Sequence, residues 1–137
     1  EMCIRDSKKS GVAGLVGGSS DMRDLENAVA AGDERAIMTL DVYNYRIKKY
    51  IGAYAAAMGG CDILVWTGGV GENQWATRRV VCENMEYMGM KIDVEKNEGM
   101  RGEEMVISTP DSKVTIIVVP TDEEYMIAAD TMDILGK

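Results

Sequence analysis

Histidine is missing from this chain of 137 residues, and so is phenylalanine. Without histidine, the chain cannot build a Ser-His or Cys-His catalytic pair, or a metal site with a histidine ligand. Cysteine is scarce as well, and the spacing of Cys3, Cys61 and Cys82 fits neither a CxxC motif nor a zinc site. We therefore expect reduced thiols in a cytoplasmic protein.

Positive charge is limited too, because 15 Lys and Arg stand against 23 Asp and Glu, which gives a net charge of −8. An acidic chain repels phosphate backbones, so we expect no nucleic-acid partner. No apolar run has the length that a bilayer span requires, so we expect no membrane association. Apolar residues nevertheless make up 46% of the chain, with 11 methionines, which is enough for the core of one domain.

Helical and strand patterns alternate along the chain. The strongest helix pattern covers residues 33–60, with Asp33 as the N-cap and Gly59-Gly60 as the stop. Its predicted buried face consists of Ile37, Leu40, Ile47, Ile51, Tyr54 and Met58. Further predicted helices cover 21–32, 73–89 and 121–135, and predicted strands cover 62–66, 104–109 and 113–120. Residues 11–18 are predicted to form a strand or turn, and the charged, glycine-containing residues 91–102 are predicted to form a surface excursion, that is, a segment lying at the surface. This alternation predicts an α/β layer architecture.

The stretch "ILVWTGGVGEN" is the first place where chemistry could occur. A predicted strand leads into glycines and then into a helix, so the backbone could approach an anion closely. A plain strand-to-helix turn explains the same residues. The glycines match neither the dinucleotide fingerprint, because Gln74 occupies its third glycine position, nor a P-loop, because no Gly-Lys-Ser/Thr follows.

The stretch "GGSSDMRD" is the second candidate. Arg23 falls in the first turn of a predicted helix, where the helix dipole disfavours a cation, so it could face an anionic ligand. The alternative is that Arg23 pairs with Asp21, Asp24 or another nearby acid.

The stretch "VVPTDEEYMIAAD" is the third candidate. Thr121 as N-cap and Glu124 three residues later predict a capping box after Pro120. Glu123 is not needed for that cap, and acidic side chains at a strand end could hold Mg²⁺.

Together these stretches resemble the C-terminal part of acetate kinase, of the acetokinase family. The resemblance runs through "KKSGVAGLVGGSSDMRDLE", "RIKKYIGAYAAAMGGCDILVWTGGVGEN", "MGMKID" and "STPDSKVTIIVVPTDEEYMIA". It implies that residues 8–137 are an incomplete α/β domain of the actin, Hsp70 and sugar-kinase type, which is ribonuclease H-like. In that superfamily two such domains hold the nucleotide in the cleft between them.

The resemblance also implies roles for individual residues. It implies magnesium binding for Glu123. Two departures from the family pattern concern Met22, where many members carry Phe, and Asp122, where many carry Asn. The residues with an implied nucleotide-binding role are Asp21, Met22, Arg23, Gly69, Val70, Gly71, Glu72 and Asn73.

The reaction that the resemblance implies transfers the γ-phosphoryl group of ATP to acetate and gives acetyl phosphate and ADP, with Mg²⁺ as cofactor. It belongs to organic-acid metabolism and acetyl-CoA biosynthesis, and it implies a homodimer for the full-length protein. The Asn-x-Gly-Ser and His-Leu-Gly-Asn-Gly motifs of the family are absent here, so we expect no catalytic residue in this chain and no activity from it alone. A propionate or butyrate kinase, a non-catalytic nucleotide-binding module and a purely structural α/β interaction domain remain alternatives, because the acyl pocket is expected elsewhere.

The first residues, "EMCIRDS", do not continue the family pattern. Written as codons, they match GAG ATG TGT ATA AGA GAC AG, which is a transposon-end adapter used in sequencing-library preparation. We therefore expect residues 1–7 to be non-native, although a genuine variable N-terminus would read the same way.

Overall fold

Residues 9–136 are described by the structure, which is a computed structural model. The segment 1–7, expected to be non-native, lies outside the described residues. The chain divides into two units, Glu1–Gly60 and Cys61–Lys137, and each is described by itself.

The first unit is helical. It contains α1 (Gly11–Val16), α2 (Met22–Ala30) and α3 (Glu34–Met58), and both shorter helices contact α3. Arg35 helps to join α1 to α3, because its Nε donates a hydrogen bond of 2.6 Å to the carbonyl oxygen of Leu15.

The boundaries of α3 confirm the prediction for the strongest helix. The Asp33 carboxylate caps it by accepting a hydrogen bond of 2.8 Å from the backbone N–H of Ala36. Gly59 ends it in the left-handed region, with φ of 79°.

None of the six residues of the predicted buried face of α3 is fully buried, and Leu40, Ile47 and Ile51 are half-buried. Ile37, Tyr54 and Met58 are exposed, with Met58 at 68%. Smaller side chains are buried instead, and these are Ala36, Thr39, Asn44 and Ala55. Helical periodicity identifies the apolar residues of a face, but it does not show where small residues let neighbouring helices approach closely.

Residues 11–16 form the helix α1 within the stretch where we expected a strand or turn. The backbone N–H of Gly14 bonds to the carbonyl of Ser10, and that of Gly17 bonds to the carbonyl of Ala13, so the turns are α-helical. Gly17 then ends α1 with φ of 75°. A short apolar run does not distinguish strand from helix by its spacing alone.

The second unit contains a mixed sheet of three strands, β1 (Ile63–Trp66), β2 (Met105–Val106) and β3 (Thr115–Val118). Their order is β1-β3-β2. β1 pairs in parallel with β3, and β2 pairs antiparallel with β3. The helices of this unit are α4 (Gly68–Asn73), α5 (Trp75–Cys82), a short 3₁₀ helix (Glu86–Met88), α6 (Val94–Asn97) and α7 (Glu123–Ile134).

The core of the second unit is built from the middle strand β3 and its neighbours. Val81, Met85, Met90, Ile107, Val114, Ile116 and Val118 are all almost fully buried. The α/β prediction is confirmed for this unit. The predicted surface excursion is wrong in part, because Asn97 and Met100 are buried. Within residues 9–136, no helix combines the length and the apolar character that crossing a membrane requires.

Candidate functional site

The glycine stretch after β1 is a helix rather than the expected turn. Gly68 makes the sharp change of direction with φ of 70°, and the chain then continues as the six-residue helix α4. A second short break at Gln74 separates α4 from α5. Within α4, the side-chain amide of Asn73 donates a hydrogen bond of 3.0 Å to the carbonyl oxygen of Gly69.

Two glycines of α4 lie in different surroundings. A Cβ atom on Gly71 would lie 3.1 Å from the backbone carbonyl carbon of Trp66, so α4 packs directly against the end of β1. A Cβ atom on Gly69 would meet nothing within 4 Å. Gly71 therefore has a packing reason to be glycine, and Gly69 is the position that is open to a ligand.

Arg78 anchors α4 by hydrogen bonds to its backbone carbonyls. It is fully buried in α5, and its Nη1 donates hydrogen bonds to the carbonyl oxygens of Gly71 at 2.7 Å and Glu72 at 3.0 Å. Its other nitrogens donate to the carbonyl oxygen of Met100 at 2.7 Å and to Oδ1 of Asn97 at 2.8 Å. One guanidinium thus joins α4 to the end of α6 and the segment beyond it.

Asn97 completes this network. Its Nδ2 donates a hydrogen bond of 2.9 Å to the carbonyl oxygen of Trp75, at the start of α5. No carboxylate within residues 9–136 forms an ion pair with Arg78. Burial lowers the pKa of the guanidinium from its ordinary value, although arginine keeps its charge at neutral pH.

Sequence reasoning missed Arg78 as a structural residue. One signal was present, because Arg78 stands three residues after Trp75 and three before Val81, on the apolar face of the predicted helix. An arginine in that position either extends to solvent or finds buried acceptors, and the sequence does not show where the acceptors are.

Glu72 ties α4 to the chain segment after β3. Its Oε1 accepts hydrogen bonds from the backbone N–H of Gly68 at 2.8 Å, from the backbone N–H of Thr121 at 2.9 Å and from the Thr121 hydroxyl at 2.9 Å. The hydrogen bond from the Thr121 backbone contributes most to holding the pKa of the Glu72 carboxyl below its ordinary value, and the other two act in the same direction. The carboxylate is therefore engaged within the protein.

The predicted capping box after Pro120 is wrong. Asp122, and not Thr121, is the N-cap of α7, and its carboxylate accepts a hydrogen bond of 2.9 Å from the backbone N–H of Tyr125. The Thr121 hydroxyl is directed to Glu72 instead. The sequence motif was compatible with both arrangements.

Glu123 is the first residue of α7 and is exposed. In the described part of the chain its carboxylate makes no hydrogen bond or ion pair, and no cluster of three or more His, Cys, Asp or Glu residues could hold a metal ion. One unengaged carboxylate fits Mg²⁺ that is held mainly by phosphate oxygens and water, which is how this ion commonly binds with nucleotides.

Asp21, Met22 and Arg23 lie in the first unit, at the start of α2. Asp21 is the N-cap and accepts a hydrogen bond of 2.9 Å from the backbone N–H of Arg23. The two side chains also form an ion pair with Nη2 and Oδ2 at 2.7 Å, and the Arg23 side chain is 85% exposed. The alternative interpretation of Arg23, as the partner of a nearby acid, is what the structure shows. Met22 is half-buried.

Comparison with known proteins identifies the family. The family model described as "Acetokinase family" matches residues 4–129. The chain belongs to the acetokinase family. It is 88% identical over 131 residues to an acetate kinase of Parabacteroides distasonis, and this match covers 96% of the chain and 33% of that relative. The chain thus spans about a third of the length of the curated relatives it matches.

Solved structures of the acetokinase family and related kinases agree with this fold. The crystal structure of Porphyromonas gingivalis acetate kinase matches with a TM-score of 0.86 and 67% identity, over 93% of this chain and 32% of that one. A propionate kinase from Francisella tularensis matches with a TM-score of 0.75 and 33% identity, over 88% of this chain and 30% of that one.

The hydrogen bonds between Asp21 and Arg23 lead to a testable prediction about the pKa of the Asp21 carboxyl. Hydrogen bonding from the Arg23 side chain, followed by that from its backbone N–H, lowers the pKa of Asp21 from 3.8 to about 2. Because the folded pKa is depressed, the contribution to stability is present above pH 3.8 and is lost as the pH falls through about 2. In Arg23→Ala, we expect the pKa of Asp21, measured by NMR of its carboxyl carbon, to rise part of the way to 3.8.

Arg101→Ala is the matched control, because Arg101 is exposed and forms no ion pair with Asp21. An unchanged Asp21 pKa in Arg23→Ala would show that the ion pair does not persist in solution.

The Arg78 network predicts a large stability loss for Arg78→Met. The substitution leaves the carbonyl oxygens of Gly71, Glu72 and Met100 without their donor, so we expect the free energy of unfolding to fall by about 2–4 kcal/mol. Urea unfolding of the 137-residue chain measures this.

Arg79→Met is the control on the same helix. Its partner Glu83 lies 3.4 Å away at the surface, and such exposed pairs contribute at most about 1 kcal/mol. Equal losses in the two variants would mean that water can replace the Arg78 guanidinium.

Proposed function

We propose that this chain carries part of the nucleotide and magnesium site of an acetate kinase, which transfers the γ-phosphoryl group of ATP to acetate. The observation that carries the proposal is the link from the glycine helix to the start of α7, where Glu72 bonds Thr121 and Glu123 follows two residues later. The membership of the acetokinase family and the 88% identity to a named acetate kinase support it.

Each proposed contact uses a feature of the described residues. Gly69 leaves room for close approach of the nucleotide. The nucleotide also contacts the rest of the same helix, which comprises Val70, Gly71, Glu72 and Asn73. Asp21, Met22 and Arg23 act on the adenosine, with the Met22 thioether packing on the base. The exposed Glu123 carboxylate binds Mg²⁺, and this ion neutralises charge on the phosphoryl group in transfer.

A second candidate function is propionate kinase activity. It is favoured by the likeness to the Francisella tularensis propionate kinase, at 33% identity. The relatives at 56–88% identity are named acetate kinases, so acetate is the substrate that we propose. For the whole protein we further propose a homodimer in the cytoplasm that produces acetyl phosphate for acetyl-CoA biosynthesis.

A hybrid enzyme tests the function. In it, this chain replaces the segment that it matches in the Parabacteroides distasonis acetate kinase, and ADP formation is measured with acetate, propionate and butyrate. We expect Mg²⁺-dependent turnover that is fastest with acetate, and no acetate-dependent turnover from the 137-residue chain alone. A folded hybrid without turnover, beside an active unmodified P. distasonis enzyme, would refute the proposal, and faster turnover with propionate would favour the second candidate.

The two glycines of α4 give a matched pair of substitutions in the hybrid. Gly69→Ala adds a methyl group in open space, so we expect unchanged thermal stability and a severalfold higher KM for ATP. Gly71→Ala forces a Cβ atom against the Trp66 backbone, so we expect a loss of about 1–3 kcal/mol in stability. If Gly69→Ala leaves the KM for ATP unchanged, the nucleotide does not approach this glycine.

Glu123 provides a test of the metal site. Glu123→Gln keeps the size of the side chain and removes its charge, so we expect an unchanged melting temperature, a higher Mg²⁺ concentration for half-maximal rate and a lower kcat. Glu124→Gln is the neighbouring control on α7. The assignment fails if the two variants show the same Mg²⁺ dependence.

A further inference from the structure

Glu72 joins two parts of the second unit that lie far apart in the sequence. A single oxygen, Oε1, accepts hydrogen bonds from Gly68 on one side and from both donors of Thr121 on the other, at 2.8–2.9 Å. Hydrogen bonds to an ionised acceptor are about twice as strong as those between neutral groups. A backbone displacement at Gly68 or at Thr121 therefore disturbs the hydrogen bonds of the same carboxylate.

The Gly68 end of the link controls the direction of α4. Gly68 has φ of 70°, a conformation that favours glycine, and its N–H has no carbonyl partner in the helix that it begins. The Glu72 carboxylate supplies that partner from four residues later. The link thus fixes the turn that precedes Gly69.

The Thr121 end controls the start of α7. No residue of α7 is buried among the described residues, so packing of side chains into the core does not position this helix. The Asp122 cap bonds to Tyr125 and stabilises the first turn internally, without attaching it to α4. Glu72 supplies the attachment immediately before the cap.

Thr121 belongs to neither a strand nor a helix. Thr121 is not the N-cap of α7, and it lies beyond the last residue of β3, Val118, after Val119 and Pro120. Both donors of Thr121 bond to the Glu72 carboxylate instead. These hydrogen bonds restrain the position of the first turn of α7. Glu123, in that turn, is two residues away.

We propose that Glu72 and Thr121 form a latch that positions Glu123 against the glycine helix α4. This inference rests on the proposed function, because Glu123 is the residue proposed to bind Mg²⁺. Glu72 and Thr121 are positioning residues and do not contact the metal. The latch makes the metal dependence of the reaction sensitive to a hydroxyl group that has no contact with substrate.

Thr121→Val and Thr121→Ser in the hybrid enzyme test the latch. Valine keeps the β-branched shape and removes the hydroxyl donor, whereas serine keeps the donor. We expect Thr121→Val to raise the Mg²⁺ concentration for half-maximal rate about tenfold, equivalent to ~1.4 kcal/mol, and Thr121→Ser to stay close to the parent. Glu72→Gln should resemble Thr121→Val, and Glu86→Gln, at the exposed 3₁₀ helix, should resemble the parent.

Amide hydrogen exchange gives a readout that does not depend on catalysis. In the 137-residue chain, Glu72→Gln should accelerate exchange at Gly68 and Thr121 together, and Thr121→Val should accelerate exchange at Tyr125, in the first turn of α7. Thr121→Ser should leave the exchange rates unchanged.

The outcomes separate the two proposals. Accelerated exchange with an inactive hybrid would refute the proposed function and leave the latch in place as a structural link. Accelerated exchange and a lower melting temperature, with normal Mg²⁺ dependence in an active hybrid, would overturn the positioning role. Unchanged exchange in Glu72→Gln would refute the latch itself.

Discussion

The buried guanidinium of Arg78 is the interaction on which the second unit depends. It donates to backbone carbonyls of α4, to the carbonyl of Met100 and to Asn97, which in turn bonds the start of α5. A buried cation without a carboxylate partner is costly unless each N–H finds an acceptor. Because Asn97 and Met100 lie 19 and 22 residues from Arg78 in the sequence, the charge is tolerated only when these segments are assembled with α4 and α5.

Two restraints of different chemistry act on the same short helix. Arg78 binds the carbonyl side of α4, and the Glu72 carboxylate engages Gly68 at its beginning and Thr121 beyond it. A six-residue helix has little stability of its own, so its position is set by these contacts. The side of α4 at Gly69 stays open, with space for an added Cβ atom, as a surface that receives a ligand requires.

Local signals in the sequence predicted what local forces determine. Asp33 and Gly59 bound α3 as expected, and the apolar runs became β1 and β3. The errors at Thr121 and Arg78 involve partners that are distant in the sequence, whereas the error at residues 11–16 arose because a short apolar run does not distinguish strand from helix. The Thr121 hydroxyl had a plausible local role as a cap, but Glu72 is its partner, and Arg78 gave no sign of the acceptors at Asn97 and Met100. Local patterns singled out the glycine stretch 68–73, Arg23 and Glu123 as candidates, and the specific roles in nucleotide and magnesium binding came from family resemblance.

The parallel pairing of β1 with β3 has a consequence for how this part of the chain folds during synthesis. The register joins Ile63 to Thr115 and Trp66 to Val118, so β1 leaves the ribosome long before its neighbour exists. Until β3 emerges, β1 lacks the strand that it pairs with in the sheet. Pairing over such a sequence distance is slow and leaves strand edges exposed to association with other chains. Of the two units, the second is therefore the one whose folding waits on a strand pairing distant in the sequence, whereas the first consists of consecutive helices.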